Sequence, residues 1–122
     1  MSEHGSKREQ AHKAIQAAKA ALARGDRDAA YRLSRAAVEW APDWAASWLM
    51  LAAVSDPAQG LKYVARALQL EPQSKAARQA IPWMIRRIPP RNRRQAVQDA
   101  RLPSGLGLKL APKEAALPYQ FD

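Results

Sequence analysis

Residues 43–72, DWAASWLMLAAVSDPAQGLKYVARALQLEP, decide the fold. Their apolar positions form two sets, Trp44, Trp48, Leu51 and Ala52 before Ser55-Asp56-Pro57, and Leu61, Val64, Ala65 and Leu68 after it. Spacings of three and four put each set on one face of a helix. Asp56 is placed to cap the second helix and Pro57 to fill its first position, while Glu71-Pro72 closes the unit. Pro42 ends whatever precedes, and Asp43 is expected to cap the first helix. Two helices joined by so short a turn are antiparallel neighbours, so the stretch predicts a helix hairpin.

Upstream, residues 1–6 are a polar lead-in without periodicity, read as a flexible terminus. A helix is expected from Lys7 to Leu22 or Ala23, because Ala11, Ala14, Ile15, Ala18, Ala21 and Leu22 share one narrow, alanine-rich face. Gly25 suits a left-handed helix end, and Asp26 can cap a second helix running from about Arg27 to Trp40. Downstream, a fifth helix should begin after Gln73 or Ser74. Pro82 is expected to kink it or divide it in two. Ile88-Pro89-Pro90 is a stop and a rigid joint, after which residues 89–102 form a short basic helix with Ala96, Val97 and Ala100 on its thin apolar side. Residues 103–122 hold three prolines and two glycines and are read as an extended tail, with Leu117, Tyr119 and Phe121 as possible anchors.

An internal repeat then emerges. GDRDAAYRLSRAAVEWAP aligns with SDPAQGLKYVARALQLEP so that Asp26 matches Asp56, Ala30 Gly60, Ser34 Val64, Ala37 Ala67, Val38 Leu68 and Pro42 Pro72, a period of 30 residues. These residues resemble the tetratricopeptide repeat (TPR). In that resemblance Trp48, Leu51 and Ala52 hold the aromatic, leucine and small positions of a first helix, and Gly60, Val64, Ala67 and Pro72 the matching positions of a second. The earlier copy keeps Ala30, Ala37 and Pro42, but has Ala14, Ala17 and Ala18 where larger residues are usual. Family repeats are about 34 residues long, so the helix Asp43 to Val54 is about one turn short, a compression also met in short bacterial proteins of this kind. The resemblance spans about residues 8–88 and implies an all-α fold of TPR-like antiparallel helix-hairpin repeats, a fragment of a right-handed α-α superhelix. The repeat domain is drawn at 7–88, followed by the basic C-terminal extension.

Composition narrows the chemistry. The chain has 122 residues, no Cys and a net charge of +9. Disulfides, cysteine-based zinc sites and thiol nucleophiles are excluded. No apolar run reaches membrane-spanning length, and the start is too polar for a signal peptide, so a soluble, cytoplasmic protein is expected. His4 and His12 stand eight apart without clustered carboxylates and are read as solvated, and SGLGLK lacks the Lys-Ser/Thr ending of a phosphate loop. No catalytic residue, metal or cofactor is expected; the protein is read as a non-enzymatic binding module.

Two sets of residues are candidates for binding. The family resemblance implies a concave face made by the first helix of each pair, which carries over to Ile15, Lys19 and Leu22, to Leu49, and to Gln79, Trp83 and Arg86 on the terminal helix. His12, Ala46, Ala53 and Ala76 fall on the same face. The Lys/Asn/Arg set that some TPR domains close on a terminal carboxylate is not reproduced. The second set is the cluster Arg86, Arg87, Arg91, Arg93 and Arg94, within residues 73–102 that hold eight Lys/Arg against one Asp/Glu. Such a field attracts any anionic partner. With no aromatic interleaved to stack bases, an acidic protein surface or peptide fits it better than nucleic acid, and an anionic membrane surface is a further option. Trp48 is assigned to the core, whereas Trp44 and Trp83 are candidate anchors for a partner. The leading expectation is an adaptor that holds another protein in the concave face; the alternative is a basic protein contacting nucleic-acid phosphates.

Overall fold

Three helices begin by the same device. Asp26 accepts a hydrogen bond from the Ala29 amide at 3.1 Å, Asp56 from Ala58 and Gln59 at 3.1 and 3.3 Å, and Ser74 from Ala77 at 3.1 Å. Each side chain satisfies an amide that has no partner within its helix. The computed structural model describes residues 3–103. They form α1 (Glu3–Ala23), α2 (Arg27–Trp40), α3 (Ala45–Ala53), α4 (Pro57–Leu70), α5 (Lys75–Arg87), a 3-10 turn (Pro90–Asn92) and α6 (Arg93–Ala100), with no strand among the described residues. The tail from 104 onward, with Leu117, Tyr119 and Phe121, lies outside them.

The bounds of α2 and α4 are those that the capping aspartates predict. The end of α1 also follows its sequence: Gly25 has φ +81°, the Asp26 amide donates to Ala21 at 2.8 Å and the Gly25 amide to Leu22 at 3.0 Å. This paired closure needs a left-handed residue at that point, which glycine adopts without strain.

Three local expectations differ from the structure. Helix α1 begins at Glu3 rather than Lys7, since nothing in residues 3–6 beyond one Gly opposes helix. Asp43 does not cap α3: the extended residue before that helix is Trp44, which makes no side-chain capping bond, and Asp43 lies 4.0 Å from the Arg8 guanidinium. Of the two outcomes expected at Pro82, division into two helices does not occur: α5 runs unbroken from Lys75 to Arg87, with WMIRR as its last turns. Pro82 is exposed, while Ile81, Met84 and Ile88 on its two sides are buried in a shared core, so packing holds the helix on both sides of the missing amide.

The α3–α4 hairpin is the centre of the molecule. Helix α1 packs along α2, α3 packs on α4 and reaches back to α2 and α1, and α4 also carries α5 and α6. The larger core surrounds α4, with Leu61, Val64 and Leu68 meeting Ala52, Ile81, Met84, Ile88, Ala96 and Ala100. A second, alanine-rich core joins α1, α2 and α3 through Ala11, Ile15, Ala18, Ala37 and Met50. Small residues let the helices approach closely, at the price of little buried area per contact. Trp48 packs partly buried against the larger core, donates its indole N–H to the Pro42 carbonyl at 2.7 Å, and lies 5.8 Å from the Tyr63 ring. No helix among the described residues is long and apolar enough to cross a membrane.

Candidate functional site: a groove and a cationic cap

On α1, Ile15 and Lys19 are one turn apart, and on α3 Ala46, Leu49, Met50 and Ala53 share one side. Between the two helices these six residues line a groove of about 280 Å³. Ile15 and Met50 form its buried floor, at 5% and 8% exposure. Lys19 is exposed at the rim, where its alkyl stem can cover apolar wall while the ammonium stays in water. Ile15, Lys19 and Leu49 are thus brought together as expected for one face. Leu22 does not line the groove; partly buried, it packs both against the core of Ile15 and Met50 and, with Leu33 and Val54, against Ala21, Ala29 and Ala30. Gln79, Trp83 and Arg86 are exposed on α5 and do not belong to this lining.

The same side of α1 continues toward its N-terminus into a hollow of about 480 Å³ lined by Arg8, Glu9, His12, Lys13 and Trp44. The Arg8 guanidinium lies 5.3 Å from the Trp44 ring centre and the His12 ring 6.4 Å from it. His12 is therefore exposed but stands beside an aromatic partner. Arg8, His12, Ile15 and Lys19 form one stripe of α1, and at 1.5 Å per residue it extends about 16 Å. Trp44, half-buried, is one of the two tryptophans expected as anchors, whereas Arg8 was not singled out from the sequence, although their cation–π contact makes them one unit.

The arginine cluster is less uniform than its sequence implies. Arg86 and Arg87 occupy the last turn of α5, Arg91 the 3-10 turn, and Arg93 and Arg94 the first turn of α6. Arg93 is engaged by its own chain. Its Nε donates to the carbonyls of Ile85 at 3.0 Å and Ile88 at 2.9 Å, and its Nη2 to that of Arg86 at 3.2 Å. These carbonyls lie at the C-terminal end of α5, where backbone acceptors lack helical partners and the macrodipole is negative, so a cation is favourable there. Arg93 is consequently a strut between α5 and α6, and its charge is turned inward. Arg87 lies over the Trp83 ring at 4.5 Å. An aromatic residue does adjoin the cluster, contrary to the reading that none is interleaved, and the spacing of four between Trp83 and Arg87 on a helix is the signal for it.

Elsewhere Arg35 donates to the Tyr31 hydroxyl at 3.3 Å, which together with the charge interaction with that tyrosine pushes the guanidinium pKa further up. Among the described residues no group of three or more His, Cys, Asp or Glu is placed to hold a metal ion.

Fold and surface together define a class: a small all-helical protein whose central hairpin carries an apolar groove on one side and a cationic cap at its C-terminal end. No family model, curated protein or solved structure matches the chain.

Proposed function

We propose that the protein is a non-catalytic, TPR-like adaptor that binds another protein in the groove between α1 and α3. The observation that carries this reading is the arrangement of Ile15, Ala46, Leu49, Met50 and Ala53 as an apolar trough beside the Lys19 ammonium. Such a surface takes an apolar side chain on its floor and a carboxylate at its rim. Burial of the apolar group supplies affinity, and the cation favours acidic over basic partners. The hollow at Arg8, His12 and Trp44 extends the trough along α1 and adds a second cation and an aromatic wall.

Site-directed photocrosslinking tests this reading. A photoreactive phenylalanine at Ala53, in the groove, is expected to capture a partner in the native host, and K19E to abolish that capture. The same probe at Arg32, exposed on α2, should capture nothing specific. Equal capture at the two positions, or capture at Ala53 indifferent to K19E, would overturn the groove as the binding site.

A further inference from the structure

The cap presents a second surface, cationic where the groove is apolar. Between Gln73 and Gln98 the chain has seven Lys/Arg and no Asp or Glu. Two of these cations are turned to their own backbone: Arg93 holds the end of α5, and Arg78 donates to the Pro72 carbonyl at 3.2 Å. The other five are exposed, Arg86, Arg87 and Arg91 among them. They are not on independent flexible segments, because Arg93 bonds to carbonyls of Ile85, Arg86 and Ile88 and so fixes the 3-10 turn and α6 against the last turn of α5. Within this preorganised cationic surface stands Trp83, 41% exposed and in contact with Arg87 on its ring.

We infer that this surface binds single-stranded nucleic acid, with Trp83 stacking on a base and Arg86, Arg87 and Arg91 contacting the flanking phosphates. An acidic protein patch would answer the charge but leave the part of the indole that Arg87 does not cover, still exposed, without a flat partner. A duplex would answer the charge while keeping its bases stacked on one another. A single strand offers phosphates and accessible base faces together, the combination that sequence-tolerant single-strand sites use. Arginine suits the phosphates because its planar fork can donate two parallel hydrogen bonds.

The test uses the full chain and a fluorescein-labelled oligothymidylate of about 12 nucleotides, a length within the ~4–16 nucleotides that comparable sites cover. Anisotropy should report binding that falls with salt on a log–log slope of about 2, from three phosphate contacts at roughly 0.7 each. W83A should weaken binding by about tenfold or more, W83F should retain most of it, and R87E should remove it, each with unchanged helical circular dichroism. A53R, which fills the α1–α3 groove, should leave it unchanged, so failure at one site is distinguishable from failure at the other. The inference is overturned if the oligonucleotide does not bind at low salt, if a duplex or polyglutamate of the same charge competes equally well, or if W83A binds as tightly as the parent.

Discussion

At the scale of single residues, Gly60 shows how tightly the central hairpin is packed. A Cβ placed there would meet Met84 Sδ at 2.9 Å and the Ala52 carbonyl oxygen at 3.1 Å. Alanine favours helix over glycine by about 1 kcal/mol, whereas overpacking a closed interior costs about 1–3 kcal/mol. The steric effect therefore outweighs propensity, and G60A is expected to lower stability in a urea titration. M84A will itself be destabilising, since Met84 is buried in the core, but G60A combined with M84A should cost less than the sum of the two single changes, because the flexible thioether is one of the two obstructing groups; additive effects would refute the contact. Ser34 and Ser47 present the opposite case. Both are fully buried, and their hydroxyls have no hydrogen-bond partner among the described residues. A buried unsatisfied hydroxyl is a net burden of about 1–3 kcal/mol, so S34A and S47A should be neutral or stabilising. A clear fall in urea midpoint for either would show that its hydroxyl has a partner.

At the scale of elements, the Arg93 side chain ties the start of α6 to the end of α5, beside the core that both helices share. Removing the Arg93 guanidinium leaves the carbonyls of Ile85, Arg86 and Ile88 without that donor. Charged hydrogen bonds contribute about 1.5–3 kcal/mol, and R93A is expected to reduce stability by an amount in that range. The loss should appear in hydrogen exchange as faster exchange over residues 89–100, with the α1–α2 pair unchanged. R93K should recover little, because a single ammonium cannot reproduce the planar fork. Helix α5 also contains a removable defect at Pro82. Proline inside a helix is disfavoured against alanine by about 3 kcal/mol, and Pro82 is exposed, so P82A should raise the midpoint of thermal unfolding. No gain would mean that proline at this position is itself needed for Ile81 and Met84 to pack in the core.

At the scale of the whole molecule, α6 closes the end of the packed helices. Ala96 and Ala100 are buried on the core built around α4, beside Met84 and Ile88. A chain truncated after Ile88 should expose that surface, bind a hydrophobic dye and unfold at lower urea, as expected when a terminal cap is lost from a stack of helix pairs. A truncation with the full chain's midpoint would show that α6 is an appendage. Groove and cap also belong to this scale. The groove needs α1 beside α3, and the cap needs the turn at Pro89-Pro90 to bring α6 back to α5.

Much of the fold was legible in the chain because it rests on short-range chemistry. Gly25, Asp26, Asp56, Pro57 and Ser74 act within a few residues of themselves, and the bounds of α2 and α4 follow from them. The apolar spacing of residues 43–72 was sufficient to place the hairpin that now lies at the centre of the molecule. The groove was legible in part: Ile15, Lys19 and Leu49 meet, but Leu22, on the same periodic face, packs against the neighbouring cores instead of lining it. Periodicity gives a residue's face without saying what covers it. The arginine cluster was least legible, since counting charges treats every guanidinium alike. Sequence by itself determined that the protein is all-helical, where α2 and α4 begin and end, and that its charge gathers near the C-terminal helices. Only the tertiary structure decided that Arg93 turns inward while Arg86, Arg87 and Arg91 stay exposed, with Arg87 over the Trp83 ring, because the carbonyls that capture Arg93 are brought to it by the path of the chain between two helices.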